Sequence, residues 1–306
     1  MPSIIQLTAH AVGTVLKSLV ACLPPGGRSW LARTLMEDRF SPASQAMAAF
    51  CEQAIHAWKN RQYVVEHNGE AALLPRLRPF NPSVLIDVGA NLGDWTLAAR
   101  KALPDATVHA FEIAETTAAE LVRIIAPVAD RVVVNVQGLG DREGEIALFL
   151  TPQNNTAAST VRDAAAFSMT DQNLGPVVES SGQITTGDLY MQRAGLTHID
   201  MLKIDVEGAE FAVLRGFHDA FARGAIDLVQ FEYGALNLTT REFLADYYAF
   251  FDALGYEVGK LYPEGVAFKP YEIVDEDFIG PNYIACRRAR PDLIAALRCP
   301  PLRMPK

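Results

Sequence analysis

The feature that most constrains the fold of this 306-residue chain is an alternation of short, β-rich apolar runs with helical segments, which begins near residue 81. Ala- and Leu-rich segments such as 94–103 and 114–125 separate most of the apolar runs. Strands that alternate with helices predict a parallel sheet with helices on both faces. The predicted strands are 84–88, 107–112, 131–136, 199–205 and 227–233.

The later part of the chain extends this sheet. Residues 144–150 predict an additional strand, and a helix at about 239–254 precedes two late strands near 255–261 and 281–288. Because no helical segment lies before the last strand, it fits an antiparallel position. The expected fold class is therefore α/β, a doubly wound sheet of about seven strands with the last one antiparallel, plus an N-terminal helical extension.

Residues 1–80 predict a separate, mainly helical region, broken at the Pro-Gly cluster 24–27. Its apolar stretch 4–23 carries Lys17 and follows no basic segment, so it predicts neither a signal peptide nor a membrane span. One helical face of this stretch is apolar. Two interpretations remain open: a helix packed on the domain, or one that rests on a membrane surface or covers a lipid-like substrate.

Two polar segments complete the organisation of the chain. Residues 151–183 are rich in Asn, Ser, Thr and Gln and are long for a loop, which is typical of a functional or disordered segment. Residues 287–306 carry six basic residues and one Asp, which fits a solvated terminus or contact with an anionic partner or membrane. The predicted regions are 1–80 (helical), 81–290 (sheet domain) and 291–306 (basic tail).

Charge and cysteine content exclude several classes of protein. The chain has 27 Lys and Arg against 36 Asp and Glu, a net charge of −9, so its surface repels nucleic acid. The four cysteines are scattered, with no CxxC pair and no His at ligand spacing. They predict free thiols in a reducing, cytoplasmic environment rather than a disulfide or zinc framework.

The most informative motif is VLIDVGANLGDWT at 84–96, where an apolar strand ends in a glycine turn that opens a helix. Gly89 and Gly93 permit a sharp turn and the close approach of a ligand. A dinucleotide-binding turn needs a third glycine where this chain has Asp94-Trp95, and the Asp94 carboxylate would repel a pyrophosphate. The turn better fits a ligand with a ribose and an amino acid but no phosphate, which describes S-adenosylmethionine.

Two further positions complete the predicted cofactor site. Glu112, at the end of the second strand, can accept hydrogen bonds from both ribose hydroxyls. The turn Gly138-Leu139-Gly140-Asp141 follows the third strand and fits either an adenine contact or an ordinary tight turn. The predicted cofactor-binding residues are Asp87, Gly89, Asn91, Gly93, Trp95, Thr96, Glu112, Gly138, Leu139 and Asp141.

A cluster of acids follows two later strands. Asp205 ends one strand and is followed by Glu207 and Glu210, and Glu232 ends the next strand. Carboxylates this close together repel one another unless they share protons or a cation. A preference of acids for helix starts explains Glu207 and Glu210 but neither Asp205 nor Glu232. We therefore predict that Asp205 lies near a reacting centre, with Glu232 and Glu207 supporting it.

Together these segments resemble the FkbM-type methyltransferase family. The resemblance is carried by DVGANLGDWT, AFE ending in Glu112, ITTGDL, LKIDVEGAE and QFEYG, and covers roughly residues 80–290. It implies a class I fold and methyl transfer from S-adenosylmethionine, usually to a hydroxyl of a sugar, a glycolipid or a secondary metabolite. The region 1–80 lies outside the pattern, so the resemblance does not identify the substrate.

Methyl transfer to an alcohol needs a base or a metal ion, because an alcohol is a weak nucleophile. Two versions remain open: a carboxylate base, or Asp205 and Glu232 holding Mg²⁺ against the substrate oxygen. None of the six histidines is a persuasive base; His109 lies inside a strand and His198 at the wrong end of one.

Two other functions compete with methyl transfer to a hydroxyl. A nicotinamide-dependent oxidoreductase on a similar sheet is weakened by the absent third glycine. A non-catalytic module would retain the glycine turn and act through a partner. Nucleic acid is a poor candidate substrate, because Val206-Glu207-Gly208 stands where an amino-adenine methyltransferase would carry Pro-Pro-Tyr.

Overall fold

A computed structural model describes residues 38–150, 158–171 and 177–300. The chain divides into two compact units, residues 1–58 and 59–306. The described part of the first unit contains one helix, α1 (Pro42–Trp58), none of whose residues is buried. The apolar stretch 4–23, predicted as a helix, lies outside the described residues.

The second unit alternates strands and helices in the predicted order. Its strands are β1 (Val84–Val88), β2 (Thr107–Phe111), β3 (Val132–Asn135), β4 (Gly138–Gly140), β5 (Gly144–Leu150), β6 (Val178–Thr186), β7 (Ile199–Ile204), β8 (Ile226–Glu232), β9 (Tyr256–Tyr262), β10 (Gly265–Phe268) and β11 (Asn282–Arg287). Its helices are α2 (Glu70–Leu73), α3 (Asp94–Ala102), α4 (Glu115–Ile124), α5 (Arg162–Asp171), α6 (Gly187–Ala194), α7 (Glu210–Arg215), α8 (His218–Ala222), α9 (Asn237–Thr240), α10 (Leu244–Ala253) and α11 (Pro291–Leu297).

The central sheet has eight strands in the order β3-β2-β1-β7-β8-β11-β9-β10. The five strands from β3 to β8 run parallel, and β11 is inserted antiparallel between β8 and β9. This confirms the class I methyltransferase fold predicted from the sequence, with an antiparallel last strand. The eighth strand of this sheet, which the sequence did not predict, is β10; it forms a hairpin with β9 through the short turn at Pro263 and Glu264.

The direction of strand addition reverses between β1 and β7. From β1 the chain builds outward through β2 and β3, and it then returns to the other side of β1 with β7 and β8. Open α/β sheets bind ligands in the crevice at the carboxyl ends of the strands at such a point. The predicted cofactor turn follows β1, and the predicted acid cluster follows β7 and β8, so both lie at this edge.

A small second sheet, in the order β4-β6-β5, accounts for the predicted additional strand. The polar segment 151–183 is partly regular, because it contains α5 and the first half of β6. Residues 178–183 of β6 are mostly exposed to solvent, which is consistent with their polar composition. Residues 151–157 and 172–176 of the segment lie outside the described residues.

Two apolar clusters cover the faces of the central sheet. On one face, Phe231 of β8 stacks on Tyr247 of α10 with ring centroids 4.7 Å apart. On the other face, Leu73 and Leu77 pack with Trp95 and Leu297. Residues 59–80 therefore belong to the sheet unit, and the unit boundary lies at residue 58 rather than at the predicted residue 80.

The start of the predicted basic tail is also part of this core. Helix α11 buries Leu293, Ile294 and Leu297, so one face of residues 291–297 packs on the core while the other face is exposed. Residues 301–306 lie outside the described residues. Among the residues described, no helix combines the length and the apolar character that crossing a membrane requires.

Candidate active site

The turn between β1 and α3 adopts a backbone that only a few residue types tolerate. Gly89, Asn91 and Gly93 have φ angles of 77°, 49° and 91°. Glycine adopts such angles without the steric penalty that other residues pay, and Asn is among the least penalised of the rest. The backbone N–H groups of Gly89 and Ala90 donate to the carbonyl of Phe111, which fastens the turn to β2.

Asp87 in β1 and Thr96 in α3 are joined by a hydrogen bond across the base of this turn. The Thr96 hydroxyl donates to Asp87 at 2.7 Å, and the Lys203 ammonium lies 3.2 Å from the other Asp87 oxygen. Asp87 and Thr96 are fully buried and do not line the cleft described below. The sequence predicted that both contact the cofactor, whereas the structure gives them the role of holding the strand, turn and helix together.

Glu112 follows β2 and faces the same turn. Its carboxylate accepts the backbone N–H of Asn91 at 3.0 Å and the backbone N–H of Ala114 at 2.8 Å. Burial raises the pKa of Glu112, and these two hydrogen bonds oppose that shift. Each oxygen retains a second lone pair, so the side chain can still accept hydrogen bonds from a ligand.

A cleft of about 210 Å³ opens at this edge of the sheet. It brings together eight of the residues predicted from the sequence: Gly89, Asn91, Trp95, Glu112, Gly138, Leu139, Asp205 and Glu207. Trp95 is buried, and its indole N–H has no hydrogen-bond partner within the described part of the chain. A buried donor without a partner costs free energy, which a ligand that accepts this hydrogen bond would recover.

Besides Asp87 and Thr96, three predicted residues do not line the cleft. Gly93 lies at the start of α3, where a Cβ atom would come 2.6 Å from Leu121 Cδ1, so its role is close packing of the helix. Asp141 is partly exposed, and its carboxylate lies 3.8 Å from the Arg215 side chain. Glu232 is the last residue of β8 and lies beside Asp205 at the same edge of the sheet.

Asp205 and Glu232 come together because of strand register. Ile204 pairs with Phe231, so the next residue of each strand lies at the same carboxyl edge. Asp205 lines the cleft with a side chain 41% exposed, and the Lys203 ammonium lies 3.3 Å from its carboxylate. Burial and then the charges of Asp205, Glu207 and Glu210 raise the pKa of Glu232 well above its ordinary value.

The acids that follow Asp205 divide into two roles. Glu210 is buried and accepts the backbone N–H groups of Val206 and Gly208, both at 3.1 Å, so it closes the turn at the start of α7. Burial raises the pKa of Glu210 to about 7. Glu207 has a φ angle of 56° and lines the cleft.

The cleft residues that were not predicted from the sequence include Tyr63, Val65, Glu70 and Lys203. The first three belong to a segment without a recognisable motif. Lys203 stands inside the LKIDVEGAE motif, but its partner Asp87 is more than a hundred residues away. Only the pairing of Asp87 with Lys203 across β1 and β7 brings the two side chains together.

The predicted Mg²⁺ site does not fit the residues present. Lys203 already places a positive charge beside Asp205, and the elevated pKa of Glu232 makes it a weak ligand for a cation. Among the described residues, the group best placed for an ion is His198, Asp200 and Asp227, near the opposite ends of β7 and β8. There Asp200 accepts two backbone N–H groups and Asp227 pairs with two arginines, so both carboxylates have protein partners.

Comparison with known proteins identifies the family. Residues 87–258 match the model of the methyltransferase FkbM domain, which is more than half of the chain. The chain belongs to the FkbM methyltransferase family. The match begins at Asp87 in the glycine-turn motif and includes Glu112, Asp205 and Glu232, so the whole predicted site lies within the family's domain.

Two relatives of this FkbM-family chain come from Beauveria bassiana and Streptomyces tacrolimicus. It is 29% identical over 152 residues to "Methyltransferase 1" of Beauveria bassiana, covering 46% of this chain and 61% of that protein. It is 33% identical over 166 residues to "31-O-demethyl-FK506 methyltransferase FkbM" of Streptomyces tacrolimicus, covering 47% of this chain and 62% of that protein. The chain thus spans about three fifths of the length of these relatives.

A solved structure of the same family is also similar. Methyltransferase FkbM from Methylobacillus flagellatus KT matches with a TM-score of 0.43 and 14% identity, covering 67% of this chain and 44% of that one. The FkbM family implies S-adenosylmethionine as cofactor. The residues here fit it, because the cleft offers the Glu112 carboxylate for ribose hydroxyls and the Trp95 N–H, which has no partner among the described residues, as a donor.

Proposed function

We propose that this protein transfers the methyl group of S-adenosylmethionine to a hydroxyl of an uncharged small molecule or glycan, with Asp205 as the base. The observation that carries the proposal is that a single cleft is lined by both the glycine turn with Glu112 and the carboxylate of Asp205. A cofactor site and a candidate base that share one cleft are what a direct group transfer requires.

The protein's contribution to the transfer is alignment and proton removal. When bound, S-adenosylmethionine would supply an electrophilic methyl group, and the leaving group, S-adenosylhomocysteine, would keep the electron pair of the broken sulfur–methyl bond. Gly89, Asn91 and Glu112 orient the donor, and Asp205 accepts the proton of the attacking hydroxyl on a carboxylate oxygen. Asp205 suits this task because it lines the cleft, whereas Glu232 does not.

The charge of the cleft supports an uncharged acceptor. Five carboxyl groups line it, from Glu70, Asp94, Glu112, Asp205 and Glu207, against the single ammonium of Lys203. Such a lining attracts a cationic sulfonium donor and repels a phosphate or carboxylate on the acceptor. Nucleic acid is disfavoured as a substrate for the same reason.

Tyr63 and Val65 offer a further contact surface for the acceptor. Both line the cleft, and Tyr63 is 59% exposed beside the acids. Burial and then the charge of Glu232 raise the pKa of the Tyr63 hydroxyl, which therefore stays a hydrogen-bond donor. An aromatic face next to carboxylates suits a hydroxylated molecule with an apolar side, such as a sugar or a secondary metabolite.

The name of the Streptomyces tacrolimicus relative supports transfer to oxygen. It describes methylation of 31-O-demethyl-FK506, which is an O-methylation of a secondary metabolite. We place this protein in the same class of reaction, within natural product or glycan biosynthesis.

An oxidoreductase would need a pair of residues at the site of hydride transfer, and a Tyr-x-x-x-Lys pair is one such arrangement. The chain contains one Tyr-x-x-x-Lys pattern, formed by Tyr256 and Lys260. Both lie on β9, outside the cleft. Tyr256 donates to the carbonyl of Ile226, and Lys260 donates to the carbonyl of Ile279. These side chains hold the fold together, so the pattern gives no support to hydride transfer.

Calorimetry with S-adenosylmethionine, S-adenosylhomocysteine and NAD(H) tests the cofactor part of the proposal. We expect both sulfur compounds to bind and NAD(H) not to bind; binding of NAD(H) alone would refute the proposal. A second experiment tests the proposal that the acceptor is uncharged. Extracts of the cells from which the protein comes are separated on an anion exchanger, and each fraction is incubated with the protein and methyl-labelled S-adenosylmethionine. Label should enter the unretained, uncharged fraction, and label confined to the retained anions would contradict the charge argument.

A further inference from the structure

Lys203 occupies the centre of a row of side chains that crosses three strands. Asp87 of β1 pairs in register with Lys203 of β7, which in turn pairs with Gln230 of β8. The Lys203 ammonium lies 3.2 Å from Asp87, 3.3 Å from Asp205 and 3.4 Å from the carbonyl oxygen of Gly89. The ammonium thus links the cofactor turn to the acid pair.

A third acid approaches Lys203 from outside the sheet. Glu70 of α2 is buried, accepts a hydrogen bond from Gln230 and also acts electrostatically on Lys203. Burial by itself would lower the pKa of Lys203, but the charges of Asp87, Asp205 and Glu70 outweigh it and raise the pKa above its ordinary value. Lys203 therefore remains an ammonium at any pH at which the protein works.

Glu232 has the opposite environment. The charged groups that act on it are Asp205 at the end of β7 and Glu207 and Glu210 at the start of α7, all of them acids. Strand register places its carboxyl group beside that of Asp205, because Ile204 pairs with Phe231 and the next residues of the two strands are neighbours. Two neighbouring carboxylates repel each other, which favours a single proton for the pair, and the charges around each carboxyl group decide which one carries it.

We propose that Lys203 is a positioning residue that takes the place of a divalent cation at the acid pair, keeping Asp205 ionised so that the single proton of the pair resides on Glu232. The inference deepens, and rests on, the proposed role of Asp205 as the base. With this distribution Asp205 is ready to accept the hydroxyl proton, and Glu232 donates a hydrogen bond that orients it.

Infrared spectroscopy of the full chain without cofactor locates this proton directly. At about pH 8 an ordinary Glu or Asp is ionised, so a protonated carboxyl gives a distinct C=O band. The difference spectrum between the wild type and Glu232→Gln removes the background from Glu210. Protein grown with carboxyl-¹³C glutamate or with carboxyl-¹³C aspartate then assigns the band. We expect the band to vanish in Glu232→Gln and to shift only with labelled glutamate.

Substitution of Lys203 tests whether this residue decides which of Asp205 and Glu232 carries the proton. In Lys203→Met we expect part of the band to shift with labelled aspartate, because Asp205 loses its counter-charge. Lys203→Arg keeps the charge and should restore the wild-type pattern. An unchanged band in Lys203→Met, or a wild-type band that shifts with labelled aspartate, would overturn the proposal.

The infrared experiment still tests the position of the proton if the Lys203→Met variant does not fold. Should circular dichroism show that Lys203→Met is unfolded, the isotope assignment in the wild type tests the proton position alone. The experiment needs no acceptor and no turnover. Failure of methyl transfer would refute the proposed function, whereas a misplaced proton would refute only the role of Lys203.

Discussion

Gly89 lies against the carbonyl oxygen of Asp205 so closely that a Cβ atom on residue 89 would come within 1.8 Å of it. This contact joins the cofactor turn after β1 to the acid pair after β7 at the level of the backbone. The hydrogen bond from the backbone N–H of Asp205 to the carbonyl of Val88 reinforces it. The two motifs are therefore one rigid unit, which explains why a side chain is not tolerated at residue 89.

Replacing Gly89 by alanine should destabilise the protein more than replacing a glycine of similar conformation. Gly255 is a matched control, because its φ angle is 79° against 77° for Gly89 and no atom lies within 4 Å of its Cβ position. We expect Gly255→Ala to cost about 1–2 kcal/mol, the penalty for the left-handed backbone. Gly89→Ala should cost several kcal/mol through the added clash. If urea unfolding shows that Gly89→Ala and Gly255→Ala lose the same unfolding free energy, the contact between Gly89 and Asp205 does not contribute to stability.

Loss of the Glu112 charge should weaken cofactor binding. A hydrogen bond to a charged group contributes about 1.5–3 kcal/mol, so Glu112→Gln should raise the calorimetric Kd of S-adenosylhomocysteine about tenfold to a hundredfold. Glu115→Gln, an exposed change in the first turn of α4, serves as the control. If the two variants bind equally well, Glu112 does not hold the ribose.

Glu210 should make the stability of the protein depend on pH. Its pKa is about 7 in the folded state, against 4.5 for the free side chain, so the folded state holds the proton more tightly. Stability from this group is complete below about pH 4.5 and is lost as the pH rises to about 7. In Glu210→Gln the unfolding free energy should lack this decline. A decline of equal size in both proteins would assign it to other groups.

The activity should not depend on a divalent ion. Because Lys203 already compensates the charge of Asp205, prolonged treatment with EDTA should leave the rate of methyl transfer unchanged, and added Mg²⁺ should not increase it. The assay compares treated and untreated protein with the same acceptor. A loss of activity that Mg²⁺ restores would contradict the assignment of Lys203.

The elements of the sheet could be predicted because each carries its own local signal. The run at 144–150 and the turn at Gly89 are recognisable from neighbouring residues alone, and the structure has both at the predicted positions. Strand β10 was missed because four residues after a tight turn give no clear period. The packing of 291–297 was missed because the surrounding arginines suggested a solvated segment.

The site could be predicted only where its residues follow a strand. Asp205 and Glu112 were found in this way, since carboxyl ends of parallel strands meet at one edge. Lys203 depends on cross-strand register with Asp87, and Tyr63 depends on how a segment without a motif packs over the cleft. Asp141 was expected in the cleft, but the short strand β4 ends before it and its side chain faces Arg215.

The most direct test of the central claim is the position of the methyl group in the product. The wild-type protein is incubated with methyl-¹³C S-adenosylmethionine and the acceptor found in the uncharged fraction, and the product is examined by carbon NMR. We predict a labelled methoxy carbon, and no product from Asp205→Asn, although this variant should bind S-adenosylhomocysteine like the wild type. A label on nitrogen or carbon, or full turnover by Asp205→Asn, would contradict methyl transfer to a hydroxyl with Asp205 as the base.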